Sequence, residues 1–244
     1  MRIGLIMGTD AEATLDGTIA AIVRAESDGF ATAWVANIFS HDALTVLALA
    51  GRETRRIELG TAVVPTYPRH PHSIAQQAAT GNAAAGGRVV LGLGRSHKIV
   101  IESMLGLAYD KPVSRMREYV TIVKQIFARQ APLEFDGVRY QIPYHGEGST
   151  GQGKPLRSMI RSRADIPVYT GSMAPKSQAM SAEIADGCLL TCMHPERPEV
   201  LMKNFDEGFE KAGDGKGLES FDIAPTVVVI IGDPEHAMVP CKMQ

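Results

Sequence analysis

The chain has 244 residues, 45% of them hydrophobic and 21% charged, and a formal net charge of -2. That composition fits a globular protein with room for one large α/β domain, and its scattered lysines and arginines leave no electrostatic footprint for nucleic acid or an anionic membrane. No apolar run approaches 18 residues, Ile3 to Met7 is too short for a signal sequence, and three cysteines make no disulfide framework. The expected setting is therefore cytoplasmic and the expected partner a small molecule.

Taken in chain order, strand-like runs of β-branched residues and leucine fall at about 2–7, 32–37, 57–64, 88–93, 166–170, 187–193 and 223–231. Helical periodicity fills the intervals. Ala11 to Gly29 carries Leu15, Ile19, Ile22 and Val23 and closes on Gly29, while Asp42 to Arg52 opens with Asp42 as an N-cap. Ser73 to Ala85 is rich in alanine, Ser114 to Arg129 aligns Met116, Tyr119, Val120, Val123 and Phe127, and Ser177 to Ala185 follows the fifth strand. Seven strands alternating with helices imply a parallel sheet, closed as a barrel or left open.

Residues 131–165 interrupt the alternation with Pro132, Pro143, Gly146, Gly148, Gly151, Gly153 and Pro155. They read as an irregular insertion forming a lid over the strand C-termini, within a single domain spanning 1–244. Beyond the seventh strand, Asp233 and Pro234 are placed to start a helix, and the sequence given ends at Gln244. The expected fold is a (β/α)8 TIM-barrel-like α/β fold truncated after its seventh strand, or a sheet open by design. Its unpaired edges would invite homodimer formation. Cys188 and Cys192 sit among small apolar residues and read as packing, without histidine or cysteine partners at metal-ligand spacing.

Polar groups at the C-terminal ends of barrel strands face ligand, and two such ends stand out: Gly60-Thr61-Ala62-Val63-Val64-Pro65 and Gly92-Leu93-Gly94-Arg95-Ser96-His97. The turn Tyr67-Pro68-Arg69-His70-Pro71-His72 is rigid and basic, serving either a ligand's tail or the loop's own structure, and its histidines have no third metal ligand in view. The fifth strand ends in Tyr169-Thr170-Gly171-Ser172-Met173 before a helix N-terminus, a setting suited to phosphate, which makes Gly171, Ser172 and Met173 candidates for it.

Met1-Arg2-Ile3-Gly4-Leu5, Ala25-Glu26-Ser27-Asp28-Gly29-Phe30, Ala33-Trp34-Val35, Ile57 to Val63, Gly86 to Gly94 and Ile184-Ala185-Asp186-Gly187 together resemble the luciferase-like monooxygenase superfamily. The resemblance runs over nearly the whole chain and is strongest to the actinobacterial branch of coenzyme F420-dependent oxidoreductases. It implies coenzyme F420 at the strand ends, with FMN as the alternative, and a non-prolyl cis peptide at about Ala62-Val63 backing the cofactor ring. It also implies hydride transfer to or from a small organic substrate; an FMN-dependent monooxygenase and a non-catalytic, truncated barrel are the alternatives. Where sugar-phosphate dehydrogenases of this type carry Asp-His, this chain reads Asn37-Ile38, so Asn37 can hydrogen-bond a ring but Ile38 cannot move a proton. His41 is a weak substitute. In place of their glutamate stands Arg95-Ser96-His97, where Arg95 can pair with a cofactor carboxylate or phosphate, Ser96 can donate to the ring, and His97 is the candidate catalytic acid.

Overall fold

The computed structural model describes residues 2–7, 14–159, 165–191, 193, 196–229 and 232. Its first half runs β1 (Gly4–Met7), α1 (Leu15–Ser27), β2 (Thr32–Val35), α2 (Ala43–Glu53), β3 (Glu58–Thr61), β4 (Val64–Pro65), α3 (Pro71–Ala84) and β5 (Val89–Gly94). A π-helical turn (Val100–Met104) leads to α4 (Pro112–Ala128), and β6 (Phe135–Asp136) and β7 (Gln141–Ile142) follow. The chain then continues through β8 (Val168–Gly171), α5 (Pro175–Ile184), β9 (Gly187–Leu190), α6 (Pro198–Ala212) and β10 (Asp222–Pro225).

Local chemistry accounts for most boundaries. The Thr14 hydroxyl caps α1 by accepting from the Gly17 N–H at 3.0 Å, and Asp42 caps α2 by accepting from the Thr45 N–H at 2.9 Å. Helices α3 to α6 each open on a proline, whose missing N–H costs nothing in a first turn. Gly29, just past α1, takes φ +88°, the left-handed conformation that ends a helix.

The large sheet is parallel in the order β1-β2-β3-β5-β8-β9-β10, with β4 also alongside β5. These seven parallel strands, with six α-helices among the described residues, make a half-barrel, and the strand number is the one the sequence pattern predicted. Helices cover one face, where Leu59, Leu91, Leu93 and Val168 pack against Ile22, Leu47, Ile74, Tyr119 and Val123, all fully buried. Each such side chain contributes about 1.5–3 kcal/mol by leaving water. A separate group formed by Phe205, Phe209 and Phe221 joins α6 to the β9–β10 end.

The opposite, concave face holds a much smaller cluster. Trp34 and Tyr169 approach to 5.7 Å between ring centroids, flanked by Val90, Ala62 and Leu189. Glycines make room for both rings: a Cβ on Gly60 would lie 2.2 Å from the indole of Trp34, and one on Gly187 would lie 2.7 Å from the phenol of Tyr169.

Several expectations are revised. The 131–165 segment was expected to lie over the strand ends as a lid, but β6 and β7 form an antiparallel hairpin held against the outer helix layer. The Glu118 carboxylate of α4 accepts from the N–H groups of Val138, Arg139 and Tyr140 at 2.8–3.1 Å, which fixes the hairpin tip beside α4. At the hairpin tip, Arg139 pairs with Asp110 and Tyr140 packs on His70. The seventh strand, expected to about residue 231, pairs through Pro225 among the described residues, with Thr226 adding one N–H to Leu190 O at 2.7 Å, and residues 230–231 lie outside the described residues. Cys192, Cys241 and the expected helix start at Asp233 lie outside the described residues. Cys188 is fully buried, and burial pushes its thiol up to about 11.

Candidate functional site

The strand-end site is built on a bulge. Gly60 pairs with Val90 and Val64 with Leu93, so four steps along one strand match three along the other. The extra residue falls at the Ala62–Val63 peptide, which is cis, as the resemblance implied. Normal ladder pairing is interrupted there, and a side chain replaces it. The Thr61 hydroxyl accepts from the Gly92 N–H at 2.9 Å and donates to the Gly92 carbonyl at 2.8 Å. Only glycine fits opposite, because a Cβ on residue 92 would lie 1.8 Å from the Thr61 carbonyl oxygen.

Val63 rests on a glycine floor. A Cβ on Gly94 would lie 2.2 Å from Val63 Cγ2, and one on Gly171 would lie 3.3 Å from Cγ1. The ends of β3, β5 and β8 therefore form a shelf of backbone and small apolar groups, flanked by the loops that carry the remaining candidates.

Around this shelf the candidate residues divide. Asn37, half-buried after β2, accepts from the Ala43 N–H at 3.0 Å through Oδ1, which leaves its amide nitrogen as the donor available to a ligand. Arg95 is half-buried after β5 and makes no ion pair among the described residues. Ser96 adopts φ +62°, and its carbonyl accepts from the Tyr109 hydroxyl at 3.4 Å. His97 is exposed at the start of the following turn, where its carbonyl receives the Ile101 N–H at 3.1 Å. Arg95, Ser96 and His97 thus stand together at the end of β5, beside Ala62 and Val63.

Ser172 does not join them. Its hydroxyl is buried against Ser181 at 2.8 Å and Thr170 at 3.4 Å, and its N–H donates to the Leu189 carbonyl at 3.2 Å. Neither group is left for a phosphate, which corrects that expectation, whereas Gly171 lies on the shelf and Met173 is exposed beside the first turn of α5.

The Tyr67 to His72 turn is structural. Arg69 pairs with Asp42, and His70 Nδ1 accepts from the His72 N–H at 3.2 Å as the N-cap of α3. Burial, assisted by His72, lowers the His70 pKa, the direction that favours the unprotonated cap acceptor. Tyr67 stacks on Tyr109 at 5.0 Å, while the Arg115 guanidinium sits 4.3 Å above the Tyr67 ring. Burial pushes the Tyr67 phenol up to about 12. This stack, which sequence reasoning missed, braces the Tyr109 hydroxyl under Ser96. Its members are up to 48 positions apart and share no local signal. Among the described residues no cluster of three metal-ligating side chains occurs, and no helix is long and apolar enough to cross a membrane.

Comparison with known proteins places this geometry. A Mycobacterium tuberculosis protein named as a coenzyme F420-dependent oxidoreductase is 38% identical over 97% of this chain and 69% of its own length. The 5,10-methylenetetrahydromethanopterin reductase of Archaeoglobus fulgidus is 35% identical over 81% of this chain, which spans only 55% of that relative. The solved coenzyme F420-dependent tetrahydromethanopterin reductase of Methanopyrus kandleri superposes with a TM-score of 0.75 at 26% identity, covering 93% of this chain and 65% of that one. The family model for luciferase-like monooxygenases matches residues 1–239. With the bulge, the half-barrel and that match in agreement, the chain belongs to the luciferase-like monooxygenase family.

Proposed function

We propose that this chain is the cofactor-binding part of an oxidoreductase that holds coenzyme F420 on the shelf formed by β3, β5 and β8. The observation that carries the reading is the Ala62–Val63 bulge over Gly94 and Gly171, a surface small enough for a planar ring. The names of the relatives support F420 as the cofactor.

When bound, the reduced cofactor supplies a hydride, which is chemistry the twenty side chains lack. Val63 and Ala62 back the ring and exclude water from one side. The Asn37 amide nitrogen and the Ser96 hydroxyl donate to its polar edge. Arg95 neutralises a carboxylate or phosphate of the cofactor, and Gly171 and Met173, next to the N-terminus of α5, take the phosphate. His97, exposed where substrate would arrive, delivers a proton from a ring nitrogen to the reduced product.

Titration of the purified chain with coenzyme F420 and with FMN, followed by fluorescence, tests the assignment. Saturable F420 binding that weakens tenfold or more in Gly94→Val is expected. Binding of FMN with none of F420 would overturn the cofactor assignment in favour of the monooxygenase alternative. Binding of neither, by folded protein, would mean that this length of chain is a non-catalytic barrel fragment.

A further inference from the structure

The chain leaves β5 in a loop that is held at few points. Among residues 97–108 only Ile101 is buried, and Glu102 to Ala108 are exposed throughout. The turns of the loop close on themselves, where the His97, Val100 and Ile101 carbonyls accept from the Ile101, Leu105 and Leu107 N–H groups at 2.9–3.1 Å. Just before it, Ser96 takes φ +62°, a left-handed conformation that a non-glycine residue keeps only where its surroundings hold it.

The residues that end the loop are held from three sides. The Tyr109 ring stacks on Tyr67 at 5.0 Å with 21° between the planes, and the Arg115 guanidinium of α4 lies 4.3 Å from the Tyr67 ring centroid. The Tyr67 hydroxyl donates to the Asp110 carbonyl at 3.1 Å. The Asp110 carboxylate pairs with Arg139, whose backbone N–H donates to Glu118 of α4 at 2.8 Å. Tyr109 is thus fixed to α4, to the Tyr67 turn and to the hairpin tip. From that platform its hydroxyl crosses the base of the loop and donates to the Ser96 carbonyl at 3.4 Å, 13 positions back. The bond joins the left-handed residue at one end of the loop to the anchored residue at the other.

We infer that Tyr109 is a positioning residue of the cofactor site, whose hydroxyl clasps Ser96 and so holds the turn that presents the Ser96 hydroxyl. The inference rests on the proposed cofactor site and adds to it a residue that touches neither cofactor nor substrate. A loop already closed spares the ligand the entropy of ordering it, so a contact outside the site alters affinity.

Tyr109→Phe removes the hydroxyl and keeps the stack, so it should melt within about 4 °C of wild type. Fluorescence titration should find its Kd for coenzyme F420 raised about two- to tenfold, the range that one hydrogen bond spans. The decisive comparison is a double-mutant cycle with Ser96→Ala. Once the Ser96 hydroxyl is gone, Tyr109→Phe should raise Kd by half that factor or less, because the group it places is absent. An equal factor in both backgrounds, or an unchanged Kd in Tyr109→Phe, would overturn the inference and leave the cofactor assignment standing. Hydrogen exchange reads the clasp without cofactor: Tyr109→Phe should speed exchange at Ile101, Leu105 and Leu107 about threefold or more and leave the α4 amides unchanged. Wild-type protein that binds no F420, with that change in exchange, would overturn the cofactor assignment alone and keep the clasp. Unchanged exchange would overturn the clasp whatever binds.

Discussion

Replacing Thr61 by valine tests whether one hydroxyl holds the strand-end bulge. The two side chains have nearly the same shape, and Thr61 is fully buried, so the exchange removes hydrogen bonds while leaving volume unchanged. Both bonds go to the same residue, and both Gly92 backbone groups lose their partner there. An unsatisfied buried backbone group costs about 1–3 kcal/mol, and the extra methyl returns part of the loss, giving a net destabilisation of about 2–4 kcal/mol. For a chain of this size each kcal/mol moves Tm by about 2–4 °C, so Thr61→Val should melt roughly 5–15 °C below wild type. Thr61→Ser keeps the hydroxyl and loses one methyl, a change worth about 1 kcal/mol. Differential scanning calorimetry of the three proteins ranks them, and F420 titration below the lowest Tm should find weakened binding in the valine variant alone. If valine proves as stable as serine, the hydroxyl does not hold the bulge and the argument fails.

Other consequences are equally direct. Gly60→Ala would drive a methyl into the ring of Trp34, the only tryptophan, so destabilisation above about 2 kcal/mol and a red-shifted emission are expected, and an unchanged spectrum with unchanged Tm would contradict the packing. Arg117 grips both carboxylate oxygens of Glu183 between α4 and α5 and holds that carboxyl below the usual glutamate range. Because the folded-state pKa is depressed, this stabilisation is complete above the unfolded glutamate pKa and disappears as pH falls through the folded one. Urea unfolding of wild type and Glu183→Gln should therefore differ by about 1 kcal/mol or less at pH 7, given the half-exposed arginine, and converge as pH falls through the lowered carboxyl pKa, whereas a gap that widens in acid would reverse the assignment. Iodoacetamide at pH 8 should leave Cys188 unmodified in native protein and alkylate it after unfolding, as read by peptide mass spectrometry, because burial keeps the thiol protonated.

What the sequence discloses here is what is encoded locally. Asp42 caps α2 and Gly29 ends α1 because caps are settled within four residues, and the strands are legible because short β-branched runs broken by glycine have few other uses. The bulge came from resemblance, for nothing in Thr61-Ala62-Val63 alone predicts a cis bond. Long-range polar contacts left no trace. Glu118 looks like any outward-facing glutamate of α4, yet its carboxylate fixes the tip of the Phe135–Ile142 hairpin beside the helices, while proline and glycine content showed only that the segment is irregular. Ser172 misled for a related reason. A serine before a helix N-terminus reads as a ligand donor, but its partner Ser181 stands nine positions later on α5 and turns it inward.

The site thus separates two kinds of recognition. The shelf is made of main chain and of residues whose smallness matters, Gly92, Gly94, Gly171, Ala62 and Val63, so its shape depends on strand register and tolerates little change. Ile38, Phe39, His97 and Ile99, by contrast, sit on loops at the strand ends with exposed side chains that bear no core packing. They can be exchanged without moving the bulge. Substitutions at these four exposed positions should therefore leave cofactor affinity intact, whereas substitutions on the shelf should lose it, because the loops begin where the shelf ends.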